Sequence, residues 1–431
     1  MTCESCLKKD EIISELRKHV ERLEKRIEKL EKLLNLYHNP HTPPSKKPFP
    51  SRKPKSNGKP GQKNGHKGVT RPEPEPDETI AVTAEACPDC GCTLGKPTAI
   101  ESRIIEDLPE PRQAKVTEFL LAHYLCPNCN KEIVASHPEC PEEGRFGKNL
   151  ISLATVMKYL DRLPYRKIRR ALKRQNLIEL SGATILDLTR RAADVMRPEY
   201  QSILERIRKA LVAYSDETSI MVNGKRCWIW VFVSGNDVIV VVADSRGKKV
   251  VEETLGEGFK GIVVCDGWRA YTGFTDRIQR CWAHLLREAD ALSEQHKEAV
   301  QIAEELHSIF ADCKKILDKD PPPDLREQLW KAMNARMRLL VSKNCETMQV
   351  RKFMAKITNG FGHWFTFILH PGVEPTNNIA ENALRENVVQ RNIIKTLRNG
   401  KGMYLHETSM SVLTTWENMG LNAYDELVKL L

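Results

Sequence analysis

No apolar run in this chain approaches the roughly 18 to 20 residues that a membrane-crossing helix needs, and the charged N-terminus has no signal-peptide pattern. A membrane protein and an exported protein are therefore not expected, and a cytoplasmic location is. Acid is missing from one long stretch: residues 41–70 contain eight Lys or Arg and no Asp or Glu. That stretch supplies most of the formal net charge of +10. So basic a segment, poor in large apolar side chains, cannot bury enough surface to fold alone and reads as a solvated tether for a polyanion. Nucleic acid is the expected partner, with a linker kept soluble by its lysines as the plainer alternative. The thirteen cysteines lack the setting of a disulfide scaffold, since six of them form Cys-x-x-Cys pairs in a chain without an export signal. Metal binding accounts for them better.

At 431 residues the chain is too long for one ordinary core, and a prior of roughly 100 to 200 residues per domain suggests two to four units. Residues 1–38 are expected to form a coiled coil. Ile13, Leu16, Val20, Leu23, Ile27, Leu30 and Leu34 alternate by three and four, with Ile or Val at a and Leu at d, which favours a parallel pair. Across such a pair Arg26 faces Glu31 and His19 faces Glu24, so a homodimer or higher oligomer is expected; a single amphipathic helix is the alternative. Cys3 and Cys6 precede the coil, either as a clasp between two chains or as a free, reduced pair. Residues 39–76, rich in Pro, Lys and Gly, form a flexible basic linker.

Residues 77–140 read as a zinc ribbon. Cys87 and Cys90 are separated from Cys126 and Cys129 by 35 residues containing strand-like runs, and two Cys-x-x-Cys turns supply the four thiolates of a closed tetrahedral structural Zn²⁺ site. Cys92 and Cys140 are spare thiols; His123 and His137 are weaker substitutes as ligands. Residues 141–210 almost lack glycine and carry apolar residues at helical spacing, predicting a helical, DNA-binding domain. Within it a basic helix over Tyr165–Gln175 and a turn at Ser181-Gly182 resemble a helix-turn-helix, although a basic helix is also a common solvated surface.

From Leu211 the pattern becomes β-rich. Runs at 211–215, 227–233, 238–243 and 261–265 predict strands, with a helix over 248–255 crossing between the last two. Asp216 and Asp266 fall where the first and fourth runs end. If those strands are neighbours, as in a ribonuclease-H-like fold, the two carboxylates repel each other unless a cation lies between them. Oxygen ligands select Mg²⁺ or Mn²⁺, and two such ions about 3.5 to 4 Å apart can drive phosphoryl transfer. Glu381 is the candidate third acid, on a helix that Thr376 or Asn377 would cap, with Arg385 at i+4 to hold it or to contact a scissile phosphate.

These segments fall in recognisable blocks: Asp216-Glu217-Thr218, Ser245 to Lys249, Asp266-Gly267-Trp268-Arg269-Ala270-Tyr271, Cys281-Trp282-Ala283-His284-Leu285-Leu286-Arg287, and Asn377 to Arg385. In type and order they resemble the blocks of insertion sequence 66 family transposases, as do the N-terminal coil, linker, ribbon and Lys158 to Pro164. The resemblance implies a multidomain α/β protein: a ribonuclease-H-like DDE catalytic domain over 211–400, with a helical insertion at about 285–370 and a C-terminal helical segment over 401–431. It implies Asp216, Asp266 and Glu381 as catalytic metal ligands and His284 and Arg287 as auxiliary residues. Trp268 and the segment Arg391 to Lys395 depart from the family pattern.

A DNA transposase cutting and joining transposon ends is thus expected, acting on the nucleoid, with accessory transposition proteins as further partners. A non-catalytic zinc-ribbon DNA-binding regulator and a structure-specific nuclease without strand transfer are the alternatives.

Overall fold

The computed structural model describes residues 20–21, 23–28, 74–106, 110–111, 113–141 and 144–431. Most of the expected coil and nearly all of the linker lie outside these. The described part of the coil is helical, and its seam residues Val20, Leu23 and Ile27 are exposed. Phe49–Gln113 and the chain from Ala114 onward belong to different compact units, so the division falls inside the stretch expected to be a ribbon.

Each unit holds one Cys-x-x-Cys turn, and the same local geometry is built twice. In the first, Cys87 N–H donates to Cys92 O (2.8 Å) and Gly91 N–H to Cys87 O (2.9 Å). In the second, Cys126 N–H donates to Lys131 O (2.9 Å) and Asn130 N–H to Cys126 O (2.9 Å). The fourth residue after each leading cysteine has a positive φ, +73° at Gly91 and +58° at Asn130. Backbone N–H groups of Cys90 and Asp89 lower the Cys87 thiol, and those of Cys129 and Asn128 lower Cys126. The second turn joins two short antiparallel strands, β1 (His123–Leu125) and β2 (Glu132–Val134).

Three helices follow: α1 (Lys148–Tyr159), α2 (Tyr165–Asn176) and α3 (Gly182–Arg208). α2 buries Ile168, Ala171 and Leu172 and turns its basic residues outward. It stops at Leu177, which has a left-handed backbone (φ +51°), and α3 begins at Ser181, whose hydroxyl accepts Thr184 N–H at 3.0 Å.

A mixed sheet comes next, formed by β3 (Val212–Val222), β4 (Lys225–Ser234), β5 (Asp237–Ala243), β6 (Ile262–Cys265) and β7 (Ile278–Arg280). The helix α4 (Lys248–Leu255) crosses from β5 to β6, over the residues expected from sequence. The order is β5-β4-β3-β6-β7, antiparallel from β5 to β3 and parallel from β3 to β7. The first strand of the sheet thus lies beside the fourth, as the sequence predicts, and the mixed α/β architecture is consistent with a ribonuclease-H-like transposase domain.

One expectation is corrected. The first strand does not end at Asp216 but runs six residues further, because Asn223-Gly224 (φ +47° and +76°) folds it into a hairpin with β4 that pairs as far as Val222. β4 is buried on both faces, with Ile229, Trp230, Val231 and Phe232 inaccessible.

The short α5 (Arg269–Thr272) lies between β6 and β7, and beyond β7 come α6 (Trp282–Ser293), α7 (Lys297–Leu317), α8 (Pro323–Val341), α9 (Met348–Thr358) and α10 (Thr366–Leu369), so the stretch between the second and third acids is mainly helical, as expected. α11 (Asn378–Ile394) returns to β3, the two-residue β8 (Thr396–Leu397) pairs with the far end of β3, and α12 (Gly400–Asn418) and α13 (Ala423–Leu430) finish the chain.

α12 covers the edge of the sheet through side chains. Val238, Val240 and Val242 of β5 donate their N–H groups to Thr415 Oγ1 (3.0 Å), Ser411 Oγ (2.8 Å) and Glu407 Oε1 (2.6 Å). Two residues of strand advance about 6.8 Å and four of helix about 6 Å, so a hydroxyl or carboxylate at every fourth helical position meets every second strand N–H. An otherwise open edge is thereby satisfied without another strand.

Candidate active site

The register of β3 on β6 places two acids level with each other. Val212 pairs with Ile262, Ala213 with Val263 and Tyr214 with Val264. Continued two residues, the same register sets Asp216 beside Asp266. Glu217 N–H donates to Asp216 Oδ1 at 2.9 Å, and Trp268 N–H to Asp266 Oδ1 at 2.8 Å across a turn in which Gly267 has φ +91°. Burial raises the Asp216 carboxyl well above the usual carboxylate range, and the charges of Glu217, Asp266 and Glu381 raise it further. The three acids expected to work together therefore do meet electrostatically.

Glu381 arrives through a chain of anchors. Cys281 N–H donates to Cys265 O (2.8 Å) and Trp282 N–H to Pro375 O (2.9 Å), tying the end of β6, the start of α6 and the segment before α11. Asn377 then gives its backbone N–H to Cys281 Sγ (3.1 Å) and its Nδ2 to Ser215 O (2.8 Å). Asn377 occupies the N-cap position of α11, but its side chain makes no cap hydrogen bond; it is committed to the sheet. This fixes the first turn of α11, with Glu381 N–H on Asn377 O at 3.0 Å, against the strand that carries Asp216.

The partner of Glu381 differs from the one expected. Arg385 is exposed and forms no ion pair with Glu381 among the described residues. Arg287 takes that part from α6, its Nη2 lying 3.1 and 3.4 Å from the two carboxylate oxygens, and His284 Nδ1 lies 3.3 Å from Oε1. His284 and Arg287 thus stand in the site with Glu381, and Arg385 lies one turn further along α11. Donor atoms of Cys281, His284 and Glu381 all lie within 4.8 Å of one another, a grouping suited to a metal ion.

Sequence reasoning passed over the other acid of the first block. Glu217 points to the opposite face of β3, with its side chain inaccessible. Arg246 binds it through Nε (2.7 Å) and Nη2 (2.5 Å), and Tyr271 O–H donates to its Oε2 at 2.8 Å. Arg246 itself lies against the Trp268 ring (3.9 Å to the centroid) and the Trp228 ring (5.0 Å), and Trp268 Nε1–H donates to Arg246 O at 2.9 Å. Burial and Asp266 raise the Glu217 carboxyl, against the lowering by Arg246 and Tyr271. The available signal was the company these residues keep, since Arg246, Trp268 and Tyr271 all fall in blocks flanking the two Asp residues. Arg391 was also missed: largely buried, it donates to Thr218 Oγ1 (2.5 Å) and Ser219 O (2.7 Å), fastening α11 to β3 beyond the acids.

Acids on two adjacent parallel strands are joined by a third on a helix anchored to the first of those strands, an arrangement consistent with a DDE-type nucleotidyl-transfer enzyme. The model of the family described as Transposase IS66 family matches residues 143–404, more than half of the chain, and the chain belongs to that family. Membership carries a transposase role, DNA binding and use of divalent metal in general. No curated protein matches the chain. Among the described residues no helix is long and apolar enough to cross a membrane.

Proposed function

We propose that this protein is a DNA transposase that binds transposon ends and performs metal-dependent strand cleavage and strand transfer, with Asp216, Asp266 and Glu381 holding two Mg²⁺ or Mn²⁺ ions. The observation that carries the proposal is the register of β3 on β6, which continued two residues sets Asp216 beside Asp266, with Glu381 near enough for its charge to raise the Asp216 carboxyl. Carboxylates grouped in this way repel one another unless a cation lies between them, and oxygen donors suit a hard one. When bound, a pair of such ions would activate a water or 3′-hydroxyl and stabilise the leaving oxygen.

The chain's own groups have separable roles in this proposal. Arg287 and His284 hold Glu381 toward the two aspartates. Asn377 and Arg391 fix α11 on β3 at either side of the acids. Arg385, exposed one turn beyond Glu381, is placed for a phosphate oxygen of the DNA backbone. The exposed face of α2 supports DNA binding. Arg169 and Lys173 there pair with Glu179 (3.7 and 3.1 Å), while Arg166, Lys167, Arg170 and Arg174 have no acidic partner among the described residues. Each of the two cysteine turns, Cys87 with Cys90 and Cys126 with Cys129, has N–H groups that lower its leading thiol, which supports thiolate ligands for a structural Zn²⁺. The exposed seam of the helix at residues 20–28 supports self-association through the coil.

A strand-transfer assay tests the function. The full-length protein is incubated with Mg²⁺ or Mn²⁺, DNA carrying the element's ends and a target plasmid. Free 3′-hydroxyl ends followed by their covalent joining to the plasmid are expected. Cleavage without joining would replace the transposase by a nuclease, and binding without cleavage in either metal would leave a DNA-binding regulator.

A further inference from the structure

Cys281, His284 and Glu381 hold three kinds of donor in one place: a thiol, an imidazole and a carboxylate, with ligand atoms within 4.8 Å of one another. Cys281 is the N-cap of α6 and His284 lies one turn into it, so the spacing of three puts both on one side of the helix start. Glu381 is brought to them from α11 by the anchoring of Asn377.

The sulfur of Cys281 is held in place. It is nearly inaccessible, and Asn377 N–H donates to it at 3.1 Å. Burial pushes the Cys281 thiol up, against the backbone N–H groups of Asn377, His284 and Ala283, which lower it, and the Glu381 charge raises it further. Asn377, itself wholly buried, has its Oδ1 without a hydrogen-bond partner among the described residues, which leaves an acceptor beside the cluster. Sulfur and nitrogen donors distinguish this group from the oxygen-only set of Asp216, Asp266 and Glu381, and they select a borderline-soft ion over Mg²⁺.

We infer that Cys281, His284 and Glu381 form a separate binding site for a thiophilic divalent cation of the Zn²⁺ class, and that filling it withdraws Glu381 from the aspartates and inhibits strand cleavage. Three protein ligands leave the fourth tetrahedral position to water, and binding releases the Cys281 thiol proton. The inhibitory consequence rests on the proposed role of Glu381 in catalysis; the binding does not. The site makes the enzyme responsive to two metals of opposite effect, one shared carboxylate deciding between them.

Cobalt is the probe, because thiolate ligation gives it a charge-transfer absorbance. Full-length wild-type protein, Cys281→Ser and His284→Asn are titrated with Co²⁺ in excess Mg²⁺, and bound cobalt per chain is counted after gel filtration. The paired cysteines of residues 87–129 contribute equally to all three proteins. Each variant is expected to bind one Co²⁺ fewer than wild type, and Cys281→Ser to lose part of the charge-transfer absorbance. His284→Asn keeps the buried sulfur in place, and circular dichroism verifies that it is folded. Equal cobalt content in the three proteins overturns the site.

In a cleavage assay Zn²⁺ is expected to inhibit wild type, and the concentration needed, relative to each protein's own zinc-free rate, to rise roughly tenfold or more in Cys281→Ser. Full wild-type cleavage in saturating Zn²⁺ overturns the inhibition. Cleavage that survives Asp216→Asn would sink the catalytic assignment and leave the cobalt result standing; the reverse pattern would sink only this site.

Discussion

Asp216 and Glu217 are adjacent in sequence, point to opposite faces of β3 and are compensated in opposite ways. Glu217 has its counter-charge built in, from Arg246 at 2.5 to 2.7 Å and a hydrogen bond from Tyr271. Asp216 is raised by burial and by the charges of Glu217, Asp266 and Glu381, against one hydrogen bond from Glu217 N–H. The difference separates the two acids: Glu217 braces the loop carrying Arg246 and Trp268, and Asp216 is the one proposed as a metal ligand. Arg246→Ala is expected to leave Glu217 buried without its cation and to lower stability by about 1.5 to 3 kcal/mol, the range for hydrogen bonds to a charged group. Chemical denaturation measures it, and an unshifted midpoint would remove Glu217 from this structural role. At this scale the sequence was legible where chemistry is local. Asp266 closes a strand as the apolar run predicts, and Glu381 lies in the first turn of its helix. The partner of Glu381 was not legible, because Arg287 is 94 residues away in sequence, whereas Arg385 at i+4 offers a local pairing that the fold leaves unused.

The contact of β5 with α12 shows what hydrophobic pattern alone leaves out. α12 buries Thr408, Ser409, Ser411 and Thr415 along with Leu405, Met410, Val412, Leu413 and Trp416, so its buried surface mixes polar and apolar residues and its sequence reads only as a C-terminal helical segment. Its place in the sheet edge comes from hydroxyl spacing, which becomes meaningful once β5 is opposite. The very short β7 and β8 escaped for a related reason, since strands of two or three residues are defined by pairing and carry no periodicity of their own. By contrast the longer strands and α4 were legible, each having enough residues to show a pattern.

Glu407 gives this edge a pH dependence. Burial pushes its carboxyl up to about 7 despite the hydrogen bond from Val242 N–H. A carboxyl raised in the folded state contributes most below its unfolded value near 4.5, and that contribution is lost as pH rises through about 7. Glu407→Gln retains an acceptor for Val242 without the charge. It is expected to be more stable than wild type at pH 8, by about 3 kcal/mol for a shift of this size, with the difference vanishing near pH 4. Thermal melts of both proteins across this range measure it. A difference independent of pH would mean that Glu407 is not the titrating group.

On the scale of the whole molecule, the chain places its acids on the most constrained part of the sheet and adds function around them. β3 is paired along one side with β4 and along the other with β6 and then β8, so the strand carrying Asp216 is held on both sides above and below the acid. The helices over Trp282–Leu369 intervene between the second and third acids, and a few long-range hydrogen bonds, those of Asn377, Cys281 and Arg391, return α11 to that strand. Sequence indicated this insertion through its helical pattern and length; it contained nothing to reveal which residues would close it back onto the sheet.

The central claim, that Asp216, Asp266 and Glu381 form one metal-dependent catalytic site, is tested most directly by cleavage of transposon-end DNA with Mg²⁺ or Mn²⁺ by the wild type and by Asp216→Asn, Asp266→Asn and Glu381→Gln, with DNA affinity measured in parallel. Each substitution is expected to reduce cleavage by on the order of a thousandfold, a barrier increase of roughly 4 kcal/mol, while DNA binding persists. Cleavage at the wild-type rate by any one of the three variants would contradict the account.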